Sequence, residues 1–167
     1  MSSRTIASVK PKTEPFFERH AWKVLFFFSV FMALVGLPDL LAGGSFYQVG
    51  DEALVYGITG MTWEQLEAAS PNATAMIDLK LRLGGVQFLF LGLFSMAIAL
   101  TGFRRWERWA WYTMWLYPLF LGLHSLVILS AYKHPQAGIP VPLVSGPVVL
   151  AVTALTLALS YRKFFPK

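Results

Sequence analysis

This sequence predicts an all-α fold: an antiparallel four-helix transmembrane bundle with both termini on the cytoplasmic side. Three observations predict it. Apolar runs over about 22–43, 75–103, 109–132 and 141–161 take up most of the 167 residues. Each reaches the roughly 20 residues that a helix needs to cross a hydrocarbon layer about 30 Å thick. Hydrophobic residues make up 56% of the chain and charged residues 14%, outside the balance of a soluble domain. The charges are also sorted by side. Arg4, Lys10, Lys12, Arg19 and Lys23 precede the first run, Arg104, Arg105 and Arg108 fill the joint between the second and third, and Arg162, Lys163 and Lys167 end the chain. If every run crosses, the opposite side keeps Lys80, Arg82 and Lys133 against six acids, and the positive-inside bias puts both ends in the cytoplasm.

Residues 1–14 are polar and read as a flexible cytoplasmic tail. Pro15 suits the first position of a helix, and the first span runs from there, or from Trp22, to about Ala42. Its apolar stretch is longer than the roughly 7–15 residues of a signal-peptide core, so the span is retained rather than cleaved. Pro38 deletes the bond to the Leu34 carbonyl and predicts a kink or a frayed last turn, and Gly43-Gly44 supplies the stop.

Residues 44–70 form the one sizeable extracytoplasmic segment. Within it Thr62-Trp63-Glu64-Gln65 fits a capping box and predicts a short helix from Trp63 to Ala69. Ser70-Pro71 then reads as cap and first position of the second long helix. That helix, up to Phe103, is longer than the bilayer requires, so its first two turns stand above the hydrocarbon. The third helix follows the Arg-rich joint and carries Pro118 near its middle, and the fourth starts at Pro142 with Pro147 inside it. Short joints predict that helix two packs on three and three on four. Gly84, Gly85 and Gly92 on helix two, and the Ala/Thr/Ser run on helix four, permit close approach.

Cysteine is absent, which excludes disulfides, thiolate catalysis and Cys-based metal centres. Only His20, His124 and His134 exist and no two have helical i, i+3 or i+4 spacing, so no metal site, haem or other cofactor is expected. Sorted to one rim among Trp22, Trp106, Trp109, Trp111 and Tyr161, the net charge of +5 points to anionic lipid headgroups rather than nucleic acid. Arg104, Arg105 and Arg108 read as a topological anchor for lipid or an acidic partner.

Polar residues recur at one depth. Asp39, Gln87, His124 and Ser145 each lie about 15–17 residues from the inner end of their span, which is roughly 22–26 Å up the helix. Arg82 lies just beyond on helix two, with Asp78 one turn further. One reading makes Asp39, Arg82, Gln87, His124 and Ser145 an outward-opening pocket. The other makes them structural, with Asp39 and Arg82 as an ion pair joining helices one and two and His124 and Gln87 bonding carbonyls freed by prolines. The i, i+4 spacing of Asp78 and Arg82 predicts a local ion pair. No residue set amounts to a catalytic constellation, so no catalytic residue is assigned.

The stretch Arg82-Leu-Gly84-Gly85, the joint from Leu100 through Arg104-Arg105-Trp-Glu-Arg-Trp to Tyr112, and Tyr117-Pro118 resemble uncharacterised bacterial four-span integral membrane proteins. The order of spans over about 20–160 is similar to that of the DoxX-like superfamily. The resemblance implies a four-helix bundle associated with redox or respiratory systems, and the expected location is a bacterial inner (cytoplasmic) membrane. It carries over no catalytic residue.

Three functions follow as expectations: an accessory or scaffold subunit bound to other membrane subunits or to further copies of itself; a small-molecule-binding or transport-like bundle using the polar pocket; and, last, an intramembrane enzyme passing a proton between Asp39 and His124. The threading itself is testable. A reporter fused after Lys167 and a tag inserted near Glu64 should be accessible from opposite compartments, and accessibility from the same one would overturn the four-span topology.

Overall fold

The structure, a computed structural model, describes residues 16–49 and 52–166. The tail over 1–14, with the expectation that it is flexible, lies outside the described residues. Among the described residues there is helix and no strand. In chain order the helices are α1 (Phe16–Ala42), α2 (Gly44–Val49), α3 (Glu52–Thr59), α4 (Trp63–Ala69), α5 (Pro71–Ile98, continued by a π-helical turn over Ala99–Phe103), α6 (Arg108–Met114), α7 (Leu116–Ala131) and α8 (Val141–Phe164). Four segments are long and apolar enough to cross a membrane: Arg19–Ala42, Pro71–Phe103, Arg108–Ala131 and Val141–Phe164. The protein is an integral membrane protein built as a four-helix bundle.

The prolines act unequally. In the third span the missing N–H of Pro118 leaves the Met114 carbonyl without its helical donor, and the span divides into α6 and α7 at Trp115. Trp115 N–H bonds the Tyr112 carbonyl instead, at 3.2 Å, a tighter turn across the gap. The first span, by contrast, runs unbroken through Pro38 to Ala42, and α8 passes through Pro147 without interruption.

Packing departs from the order in which the spans are joined. The most extensive contact is between α1 and α5, and α1 also packs along α8, which packs against α7. The closeness of α1 and α5 has a specific cause. A Cβ added at Gly85 would lie 2.7 Å from the Gly36 carbonyl oxygen and 2.4 Å from the Leu40 amide nitrogen, and one at Gly92 would lie 2.7 Å from the Ser29 carbonyl oxygen. Backbone thus touches backbone, the arrangement small residues permit between membrane helices. Gly84, one residue away, has open space at the same position. Ser29 on α1 and Thr153, Thr156 and Ser160 on α8 are buried, and their hydroxyls bond carbonyls three or four residues back in their own helices. Each is small enough to bury and brings its own acceptor.

Helix two was expected to pack on helix three. α5 meets α6 at the joint, but further out α5 and α7 stay apart and are bridged by side chains. Phe88 stands edge-on to Phe120 and to His124, with centroids 5.7 and 4.9 Å apart. The joint is a tight reversal in which Trp106 adopts φ of 61°, unusual for a bulky residue. Its ring is held against Phe164, centroids 5.2 Å apart, above a core of Ala21, Leu25, Phe103, Met114 and Leu157.

The outer segment is more ordered than its sequence predicts. The capping box at Thr62 forms with both of its bonds, as expected, but α2 and α3 precede it. Leu54, Val55 and Trp63 pack with Ile128, while the Trp63 ring lies on Gly44 and the Tyr132 ring on Gly57. The Gly57 carbonyl accepts the amides of Lys133 and His134 at 2.8 and 3.0 Å. The segment is a cap seated on the ends of the spans remote from Phe16 and Phe164, termed the outer ends as a label of position in the bundle.

Gly85→Ala and Gly92→Ala should each destabilise the protein by about 1–3 kcal/mol, the usual range for overpacking a close contact. Gly84→Ala should be neutral or stabilising. Thermal unfolding of the three variants in one detergent checks this, and equal behaviour of all three would contradict the packing described.

Candidate functional site

The outer end of the bundle holds the densest set of polar contacts, and it is built from the end of α1. A helix leaves its last four carbonyls without intrahelical donors, and carries partial negative charge there. In α1 each of the four is met. The Asp39 carbonyl accepts the Gly43 amide at 2.9 Å. Arg82 reaches across from α5, its Nη1 donating to the carbonyls of Leu40 (3.3 Å) and Leu41 (2.8 Å) and its Nη2 to Ala42 (3.4 Å). Ser45 Oγ also donates to Ala42, at 2.7 Å. The guanidinium is aimed by Asp78, one turn earlier on the same face of α5. Asp78 Oδ2 accepts Arg82 Nε at 2.8 Å and Oδ1 accepts the Gly44 amide at 2.7 Å. Gly43, at φ of 53°, leaves room for this pair, since a Cβ there would fall 2.3 Å from Asp78 Oδ1. Arg82 and Asp78 therefore act as a clamp joining α5, the end of α1 and the start of the cap.

Beside the clamp lies a polar cleft of about 370 Å³, lined by Ser45, Trp63, Glu67, Thr74, Asp78 and Arg82 among others. Its outer wall is the cap. Thr74 Oγ1 is bonded to the Ser70 carbonyl at 3.1 Å, which leaves Glu67 and the Asp78–Arg82 pair as the charged groups facing the space. A second cleft, apolar and about 630 Å³, lies between α7 and α8 and is bordered by Gly122, Ser125, Pro140, Pro147 and Leu150.

Of the five pocket candidates, Arg82 lines the polar cleft, and Asp39, Gln87, His124 and Ser145 are not among its lining residues. Asp39 is buried near the end of α1, its backbone against Gly85. Ser145 Oγ bonds the Val141 carbonyl of its own helix at 2.9 Å. The His124 ring stacks on Phe120 with an interplanar angle of 13° and meets Phe88 edge-on, and its nitrogens bond no described residue. Gln87 is exposed on the flank of α5, and its side-chain amide also lacks a partner among the described residues. Equal depth thus does not bring these residues together at the polar cleft, because depth along a helix leaves azimuth open. Trp63, Glu67 and Thr74 join the outer site only because the cap folds back over α5. The capping box predicts the short helix but not where it lands.

Among the described residues no group of three or more His, Asp or Glu side chains is arranged to hold a metal ion. No family model, curated protein or solved structure matches the chain.

Arg82→Gln should cost about 1–2 kcal/mol, toward the low end for charge-assisted bonds because the side chain is partly exposed. Arg82→Lys should rescue little, since an ammonium cannot fork over three carbonyls while also bonding Asp78. Amide exchange of Gly44–Val49 should quicken in both variants. Exchange unchanged from the parent would mean the clamp does not hold the cap.

Proposed function

We propose that the protein is an accessory subunit that docks a transmembrane helix of another subunit on the outer half of the seam between α5 and α7. The observation that carries this reading is the exposed Gln87 amide, which has no partner among the described residues. It lies about 24 Å from the inner end of its span, within a hydrocarbon layer roughly 30 Å thick. A polar group facing hydrocarbon is costly and gains most from a partner on a neighbouring helix.

Other features of the seam support the same reading. Gly84 lies three residues from Gln87, so the two share a stripe of α5, and the space beside Gly84 is open. Across the seam His124 offers ring nitrogens without partners among the described residues. Exposed Leu83, Phe90 and Phe94 on α5 and Leu123 and Val127 on α7 give a visiting helix apolar flanks. The DoxX-like resemblance favours a small subunit beside redox or respiratory machinery in a bacterial inner membrane, and the positive-inside bias favours both termini cytoplasmic.

A second reading uses the polar cleft as a small-molecule site, with Arg82 and Glu67 as its charged contacts. It is favoured by the cleft's volume of about 370 Å³. It ranks lower because Arg82 and Asp78 are already engaged in the clamp.

Extraction in mild detergent followed by native electrophoresis tests the assembly. The protein should migrate with other subunits, well above its own 18.7 kDa. Gln87→Leu should weaken that association about 3- to 30-fold, the effect of losing an interhelical bond of about 0.6–2 kcal/mol, while leaving thermal stability unchanged. Because the chain has no cysteine, Gln87→Cys gives a unique crosslinking point, and its adduct should contain a different chain. Migration as a lone monomer, or association unaffected by Gln87→Leu, would sink the proposal; an adduct between two copies would replace the partner subunit with a homo-oligomer.

A further inference from the structure

At the opposite end of the bundle, independently of the seam, we propose that Trp22, Lys23 and Arg104 form a binding site for the phosphate headgroup of an anionic phospholipid. The Arg104 guanidinium lies 5.2 Å from the Trp22 ring centroid and the Lys23 ammonium 5.7 Å from the same ring. The ring is half-buried against the inner core of Ala21, Leu25 and Phe103, so the protein holds it in place. Arg104 comes from the end of α5 and Lys23 from α1, so two helices present one cation each to a single indole.

This pair differs from Arg108 and Lys163, the other cations of the rim that sit on rings, in that no acceptor among the described residues meets its charges. Arg108 also rests on a ring, that of Phe165 at 5.3 Å, but its Nε donates to the Phe164 carbonyl at 3.3 Å. Lys163 lies over Trp106 and has further partners. The side chains of Arg104 and Lys23 have the Trp22 ring and no carboxylate or carbonyl among the described residues. Glu107, the acid nearest Arg104 in the chain, accepts the Trp109 indole N–H. Arg19, Arg105 and Arg162 are exposed cations of the same rim. Two like charges drawn to one ring repel each other, and an oxyanion that accepts from both removes the repulsion while leaving the cation–π contacts intact.

The lipid, rather than free phosphate, is indicated by what lies next to the cations. Lys23 begins a stripe of α1 that continues through Phe27, Phe31 and Leu34, all exposed, at spacings of three and four residues. On α5, Leu100 is exposed one turn before Arg104. An acyl chain attached to a phosphate at Trp22 would run along this apolar bed, and indole rings favour the headgroup level where that phosphate sits.

The test is thermal unfolding of the purified full chain in dodecyl maltoside, titrated with short-chain phosphatidylglycerol, phosphatidylcholine of the same chain length, or inorganic phosphate. Phosphatidylglycerol should raise the melting temperature by several degrees in a saturable way, and the other two should not. The Lys23→Gln/Arg104→Gln double variant should lose the shift, and Arg105→Gln/Arg162→Gln, which removes equal charge elsewhere on the rim, should keep it. An equal response to phosphatidylcholine, reproduction of the shift by inorganic phosphate, survival of the shift in Lys23→Gln/Arg104→Gln, or its loss in Arg105→Gln/Arg162→Gln would each overturn the proposal. If removing Arg104 prevents folding, Lys23→Gln alone should raise the half-saturating lipid concentration about fivefold, and an unchanged value would overturn it equally.

Discussion

Close backbone contact between α1 and α5 governs how the rest of the bundle is arranged. Gly36 on one helix and Gly85 and Gly92 on the other let main chains meet where any side chain would intrude, as the distances to the Gly36 and Ser29 carbonyls show. Hydrophobic driving force between helices is absent in lipid, so the pair that can approach most closely gains most from packing. α1 consequently takes a central position, packed against both α5 and α8. The second and third spans, neighbours in sequence, are left with a wider seam between α5 and α7 that Phe88, Phe120 and His124 fill.

The two ends of the molecule solve different problems with similar groups. At the outer end an arginine answers carbonyls that a helix terminus leaves open, and a carboxylate fixes its direction, so charge is consumed by the backbone. At the inner end cations sit on aromatic rings that bury against the core, and part of their charge remains available to whatever lies outside. The same residue type is thus structural in one place and outward-facing in the other. What differs is whether acceptors of the protein surround it.

Proline and glycine illustrate how far local rules reach. Pro118 divides its span at Trp115, where the missing N–H leaves the Met114 carbonyl without its helical donor, whereas Pro38 sits one turn before a helix end that Arg82 already secures. Gly84, Gly85 and Gly92 look alike in sequence, yet only the latter two face α1. Residue type states what a position permits, and the neighbouring helix decides whether that permission is used.

The sequence by itself determined that the chain spans a membrane as four helices, because apolar runs of this length leave the backbone no alternative in lipid. It also determined local features whose physics is confined to a few residues: the Thr62 capping box, the stop at Gly43, and the Asp78–Arg82 pairing across one helical turn. Only the tertiary structure decided which helices touch, because azimuth is set by packing against partners distant in the chain. The depth count could therefore place Asp39, Gln87, His124 and Ser145 at one level yet leave open that Gln87 faces outward and His124 lies between two phenylalanines. The cap over the outer cleft, and the meeting of Lys23 with Arg104 on one indole, likewise depend on contacts between segments far apart in sequence, which no local pattern encodes.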